Sequence, residues 1–117
     1  MPYVDGFIVA VPKKNLKAYA KLSKKAGKIW REYGALDYRE WVADDVKPGK
    51  LTSFPQSVKL KTGETVVFAW ITYKSRAQRD RINAKVMADP RLSMASTTMP
   101  FDAKRMIYGG FASLVKV

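Results

Sequence analysis

Thr65-Val66-Val67-Phe68-Ala69-Trp70-Ile71-Thr72-Tyr73 is the stretch that decides the fold. It is β-branched and aromatic on both faces, which marks a strand in the middle of a sheet rather than at its edge. Both faces of such a strand must be covered. Two helices can cover one of them, and in a chain of 117 residues little is left to cover the other. A second copy of the chain meets that need, giving an isologous homodimer.

Downstream, Ser75-Arg76-Ala77-Gln78 is a capping box that opens a helix running to about Ala88. Its apolar set is thin: Ala77, Ile82, Val86 and, at the edge, Met87, with Asn83 close by. Asp89-Pro90 ends that helix and introduces a short further turn over Arg91–Ala95. A polar run, Ser93–Thr98, leads to Met99-Pro100-Phe101-Asp102-Ala103-Lys104-Arg105-Met106-Ile107-Tyr108-Gly109-Gly110-Phe111. This last stretch reads as a proline corner followed by an alternating strand. Its two glycines mark either a bend that finishes the sheet or a close approach of backbone or ligand.

Upstream, Ser57–Lys61 is a short strand or a helical turn, and residues 47–56 form a long irregular segment with a Pro48-Gly49 turn. That segment is expected to act as a lid or a dimer contact. Leu36–Val46 reads as a strand with Tyr38, Glu40 and Val42 on one face. Glu40, an acid in line with apolar neighbours, needs a partner or a pocket if that face is buried. Tyr3–Val11 is another strand, apolar on both faces from Phe7 onward and stopped by Pro12.

Lys13–Gly34 is the clearest helix. At 100° per residue, Leu16, Tyr19, Leu22, Ala26, Ile29, Trp30 and Tyr33, with Ala20 and Gly27, share one arc. Lys13, Lys14, Lys17, Lys21, Lys24, Lys25, Lys28 and Arg31 share another, and the two do not overlap. Eight basic residues stand against one acid, Glu32, so this face holds more than half of a net charge of +12. Two readings of it are open, a phosphate-tracking face and a solvated surface rich in lysine. Lysine outnumbers the arginine that forks onto phosphate, and no aromatic platform is interleaved; both points favour the solvated surface. Weak, salt-sensitive association with nucleic acid is expected either way.

The chain has no His and no Cys. It therefore lacks the usual zinc ligands, a His or Cys axial ligand for haem, and every nucleophile system built on His or Cys. No metal and no cofactor are expected, and proton transfer falls to Asp, Glu, Lys or Tyr. Hydrophobic residues make up 47% of the chain, enough for one folded domain over residues 1–117. No apolar run is long enough to span a membrane. The N-terminal residues lack a basic region followed by an apolar one, which gives the expectation of a cytoplasmic protein.

Strand, helix, strand, strand, helix, strand is the order of a split βαβ plan: an α+β, ferredoxin-like βαββαβ antiparallel sheet with both helices on one face and the first and last strands adjacent. Tyr-Val-Asp-Gly-Phe at 3–7, Val-Val-Phe-Ala-Trp-Ile at 66–71, Asp-Pro-Arg at 89–91 and the whole of 99–111 together resemble the bacterial YbaA-like family of uncharacterised proteins. The resemblance extends over essentially the whole chain, with Ala103 where the family has Gly. It implies the dimeric α/β-barrel superfamily, in which two ferredoxin-like sheets pack face to face. It implies no activity, cofactor or catalytic residue. Several members of that superfamily enclose a pocket between sheet and helices, and some act there as oxygenases without metal or flavin.

Three functions are compatible with these observations. The first is a cavity-bearing homodimer that binds or transforms a small organic molecule, with an oxygenase- or isomerase-like reaction if it is an enzyme. In that reading Tyr38 and Trp70 pack a planar ligand, Asn83 adds a polar group, Arg105 holds an anionic group, and Glu40 or Asp102 moves a proton. The plainer alternative makes Tyr38 and Trp70 core residues and Asp102–Arg105 (or Asp5–Arg105 across neighbouring strands) a structural pair; for the charges it is the preferred one. The second function is RNA or polyanion binding through Lys14, Lys17, Lys21, Lys24, Lys28 and Arg31. The third is a structural or stress-related protein without chemistry.

Overall fold

The computed structural model describes residues 2–92 and 99–117; the polar run at 93–98 and most of the turn expected at 91–95 lie outside them. Four strands, β1 (Tyr3–Pro12), β2 (Asp37–Val42), β3 (Glu64–Tyr73) and β4 (Ile107–Ala112), form one sheet in the order β2-β3-β1-β4. Every pairing is antiparallel. The long helices α1 (Leu16–Glu32) and α3 (Arg76–Ala88) are the two crossovers, and the plan is ferredoxin-like, with β1 beside β4 as expected.

Pairing sorts the side chains. Phe7 lies opposite Ala69 and Tyr108, and Asp5 opposite Ile71. These residues, with Val9, Val11, Val67, Tyr73, Tyr38 and Glu40, face the helices. Ile29, Ile82 and Val86 of α1 and α3 close over Ile71 and Tyr73, while Tyr19 packs with Val9, Val11 and Val67. On the other face Ile8 pairs with Phe68 and Ile107, Gly6 with Trp70, and Trp41 with Phe68.

A short helix, α2 (Phe54–Ser57), falls mostly in the segment expected to be irregular, and Ser57–Lys61 is its last residue and the turn after it, not a strand. Ser53 caps it by accepting the Gln56 N–H, with Pro55 in its first turn. It seats Val58 on Ala10 and Val66, covering one end of the second sheet face. The rest of that face stays open: Phe68, Ile107, Trp41 and Phe111 are between 41% and 60% exposed. Ala77 and Ala20, assigned to apolar helix arcs, are exposed at the margins of those arcs.

Two expectations for the last stretch are corrected. It is not a strand from Pro100 onward, because a 3-10 turn at Ala103–Arg105 precedes β4, with Asp102 accepting the Lys104 N–H at its start. Nor do the glycines bulge the strand. Gly110 lies against the Tyr3 ring, where a Cβ would come within 2.7 Å of Cε2, so only glycine allows that ring its place.

Arg105 makes a structural ion pair. It donates to Glu64 at 2.6 and 2.8 Å, to Asp102 at 3.0 Å and to the Val58 and Lys59 carbonyls. Asp5 is not its partner. Asp5 is buried and bound instead to Arg79 of α3 at 2.8 Å. Taking one member from a buried pair strands the other charge and typically costs about 3–5 kcal/mol, so this pair pins α3 to β1.

Arg105 holds Glu64 and Asp102 below the ordinary carboxylate range, and Arg91 does the same for Asp89. A depressed folded-state pKa stabilises the fold above the unfolded value, and that contribution is lost as pH falls through the folded one. The thermal midpoint is therefore expected to hold steady from neutrality down to about pH 4–5 and to fall below it. Arg105→Ala should lower the neutral midpoint and flatten the acid limb. A variant with the wild-type acid limb would contradict this assignment.

Candidate functional site

A cavity of about 500 Å³ lies between the helix-facing side of the sheet and the two long helices. Its walls are mainly apolar: Phe7 and Val9 of β1, Leu22 and Trp30 of α1, Ile71 of β3, and Phe101 from the segment before β4. Ile82 and Val86 are the buried residues that α3 contributes. A Cβ at Gly27 would stand 2.6 Å from Cδ1 of Tyr38, so glycine there lets the Tyr38 ring slide beneath the helix.

Two polar clusters interrupt the apolar wall. In the first, Glu40 projects from β2 toward α1. Tyr19 donates to its Oε1, Ser23 to its Oε2, and Tyr38 to Oε2 at 3.0 Å. Burial raises the Tyr19 and Tyr38 hydroxyls well above the usual phenol range, and the neighbouring Glu40 charge raises them further. In the second, Asp5 meets Arg79 and accepts from Tyr73 at 3.3 Å and from Asn83 at 3.4 Å. The Asn83 Oδ1 accepts from Trp30 Nε1 at 3.1 Å and, at 3.2 Å, is the alternative acceptor to Asp5 for the one Tyr73 hydroxyl proton. Burial, reinforced by Asp5, also raises Tyr73. Arg79 lies over the Tyr3 ring, 4.9 Å from its centroid.

Tyr38, Glu40 and Asn83 are thus brought to one cavity. Arg105 is not, and Trp70 belongs to the lining although its indole is engaged on the other face. β3 alternates, so Ala69 and Ile71 turn toward the cavity while the Trp70 indole turns to the open face, donating to Asp37 at 3.3 Å and packing on Trp41 and Phe68. Tyr38 and Trp70 therefore cannot flank one ligand, and Asp102 and Arg105 stand away from the cavity in their own ion pair. Lys14, Lys17, Lys21, Lys24 and Lys28 are exposed along the outer side of α1 and the turn before it. Arg31 is exposed too, but its guanidinium donates to the Ala35 and Leu36 carbonyls. Among the described residues no three His, Cys, Asp or Glu side chains are grouped as a metal site, and no helix is long and apolar enough to cross a membrane.

Sequence reasoning missed Tyr19, Ser23, Asp5 and Arg79 as site residues. Ser23 carried a usable signal, because it falls seven residues after Leu16, inside the apolar arc of α1. A hydroxyl placed there needs a partner across the core.

The profile of a family described as protein of unknown function DUF1428 matches residues 2–103. The chain belongs to that family. It is 50% identical over 115 residues to the uncharacterized protein YbaA of Escherichia coli strain K12, covering 98% of both chains, so the resemblance to YbaA-like proteins is borne out. Solved structures that share the fold of this chain at low identity include the following. An uncharacterized NIPSNAP domain protein from Burkholderia xenovorans matches with a TM-score of 0.63 at 16% identity, covering 96% of this chain and 94% of that one. A dimeric ferredoxin-like protein from an uncultured marine organism matches at 0.61 and 12% over the whole of both chains. A Nitrosomonas europaea protein, proposed to be an antibiotic biosynthesis monooxygenase, matches at 0.58 and 13% over 97% and 90%.

A folded-state pKa raised above the unfolded value keeps its stabilising contribution below the unfolded value and loses it as pH rises. Tyr19, Tyr38 and Tyr73 are therefore expected to ionise only well above 10, together with alkaline unfolding. Ultraviolet phenolate titration checks this: Tyr19→Phe and Tyr38→Phe should leave the early part of the curve unchanged and shrink the late part. Loss of early amplitude in either variant would place its phenol in solvent.

Proposed function

We propose that this DUF1428 protein is a homodimer that binds a small organic molecule in the cavity between sheet and helices, with Glu40 receiving the polar hydrogen of the ligand. The observation that carries the reading is the cavity itself. An apolar chamber of about 500 Å³ with a few convergent polar groups has the size and character of a ligand site, and a core built only for stability would be packed without such a void. Glu40, which lines the cavity, can accept a hydrogen bond from a ligand donor in this position. The likeness to a protein proposed to be a monooxygenase agrees with small-molecule chemistry, although what the two share is the fold.

The dimer follows from the open sheet face. Trp41, Phe68, Ile107 and Phe111 form one apolar surface, continued by the half-exposed Phe54 of α2. Contiguous apolar surface of this kind is usually covered by a partner. A second copy supplies an equal face across a two-fold axis, and one solved neighbour is itself a dimeric ferredoxin-like protein.

Two experiments test these parts separately. A thermal-shift screen of small organic compounds should give stabilising hits that disappear in Ala26→Trp, which fills the cavity from α1. Hits that persist in a folded Ala26→Trp protein would put the ligand elsewhere. Sedimentation should show a dimer at micromolar concentration that becomes a monomer in Phe68→Glu; a well-folded wild-type monomer under the same conditions would sink the dimer.

A further inference from the structure

Resting on the cavity reading above, we infer that the ligand is a cationic amine: an ammonium group beside Glu40, carried on an apolar, ring-containing body. The first reason is charge. The acids and bases lining the cavity are Asp5, Glu40 and Arg79, and Asp5 and Arg79 neutralise each other at 2.8 Å. Glu40 has no Lys or Arg within ion-pair distance among the described residues. Lys24 lines an outer groove along α1 and β2 that also reaches Glu40. In a chain of net charge +12, the inside of this cavity is therefore one negative charge out of balance. Glu40 is half-buried against an apolar wall, where a charge favours a charged partner, and the ligand can supply it.

The second reason is hydrogen-bond direction. A hydroxyl has one proton to give. Tyr19, Ser23 and Tyr38 each direct theirs to Glu40, so what they offer the cavity is lone pairs. Beside Glu40, at the opposite polar cluster from Arg79 and Asn83, a carboxylate or phosphate head would meet these acceptors and a like charge. An ammonium, with three donors and no acceptor, complements the set. The Tyr38 ring lies tilted against Trp30, with centroids 6.0 Å apart, and the Tyr19 ring lies edge-on to Phe101 at 5.4 Å. Aromatic walls of this kind attract a cation over their faces and pack a flat apolar body.

Calorimetric titration of the full chain with tryptamine, tryptophol and indolepropionate tests the inference, since the three share a ring system and differ in the charge of the head. Tryptamine should bind about tenfold or more tightly than tryptophol, with indolepropionate weakest. Glu40→Gln should abolish the preference, weakening tryptamine about tenfold more than tryptophol. If that variant does not fold, Tyr38→Phe, which removes one acceptor, should narrow the preference instead. Tryptophol or indolepropionate matching tryptamine overturns the amine assignment and leaves the cavity reading intact. No binding by any of the three, or binding unchanged in Ala26→Trp, overturns both.

Discussion

The apolar character of β3 on both faces is the constraint on which the rest depends. Val66, Val67, Ala69, Ile71 and Tyr73 are all nearly inaccessible, and apolar area removed from water stabilises at roughly 25 cal/mol per Å². The helix-facing side is closed by Ile29, Ile82 and Val86. The other side is closed at one end by Val58 and is otherwise a plateau of aromatic rings. An antiparallel sheet can leave one face to water, but such a face is normally polar, and this one is not. The same strand that organises the fold thus creates its strongest demand for a partner.

Charge is distributed with equal consequence. The lysines of α1 point outward, and the internal charges are resolved locally, Asp5 by Arg79, Glu64 by Arg105, and Asp89 by Arg91 and Tyr33. These pairs bridge elements far apart in the chain: α3 to β1, and the last turn to the start of β3. Glu40 differs, being satisfied by neutral hydroxyls. A carboxylate held that way is solvated but not neutralised, which is why the chamber beside it, rather than the basic helix, carries the functional argument.

The legible parts were those set by period and by local chemistry. The 3.6-residue spacing of α1 separated its buried and basic faces, and the capping box at Ser75 located α3, where Ser75 accepts the Gln78 N–H. Pseudo-symmetric strands at 3–7 and 109–111 were rightly read as neighbours. Tyr38, Glu40 and Asn83 were recognisable because each is a polar group on an otherwise apolar face. The direction of the Trp70 indole was not legible, because a strand apolar on both sides does not say which side meets the helices. That choice comes from the handedness and length of the crossovers, not from β3.

By itself the sequence determined the element types, the antiparallel plan, the absence of His and Cys chemistry, and a surplus of positive charge on one helix face. These are properties of neighbours along the chain or of composition, where the physics is local. Only the tertiary structure decided that Asp5 pairs with Arg79 and not Arg105, that Gly27 makes room for Tyr38, and that three hydroxyls turn their protons to one carboxylate. Each depends on distances of a few ångströms between residues many positions apart, which periodicity and spacing do not encode.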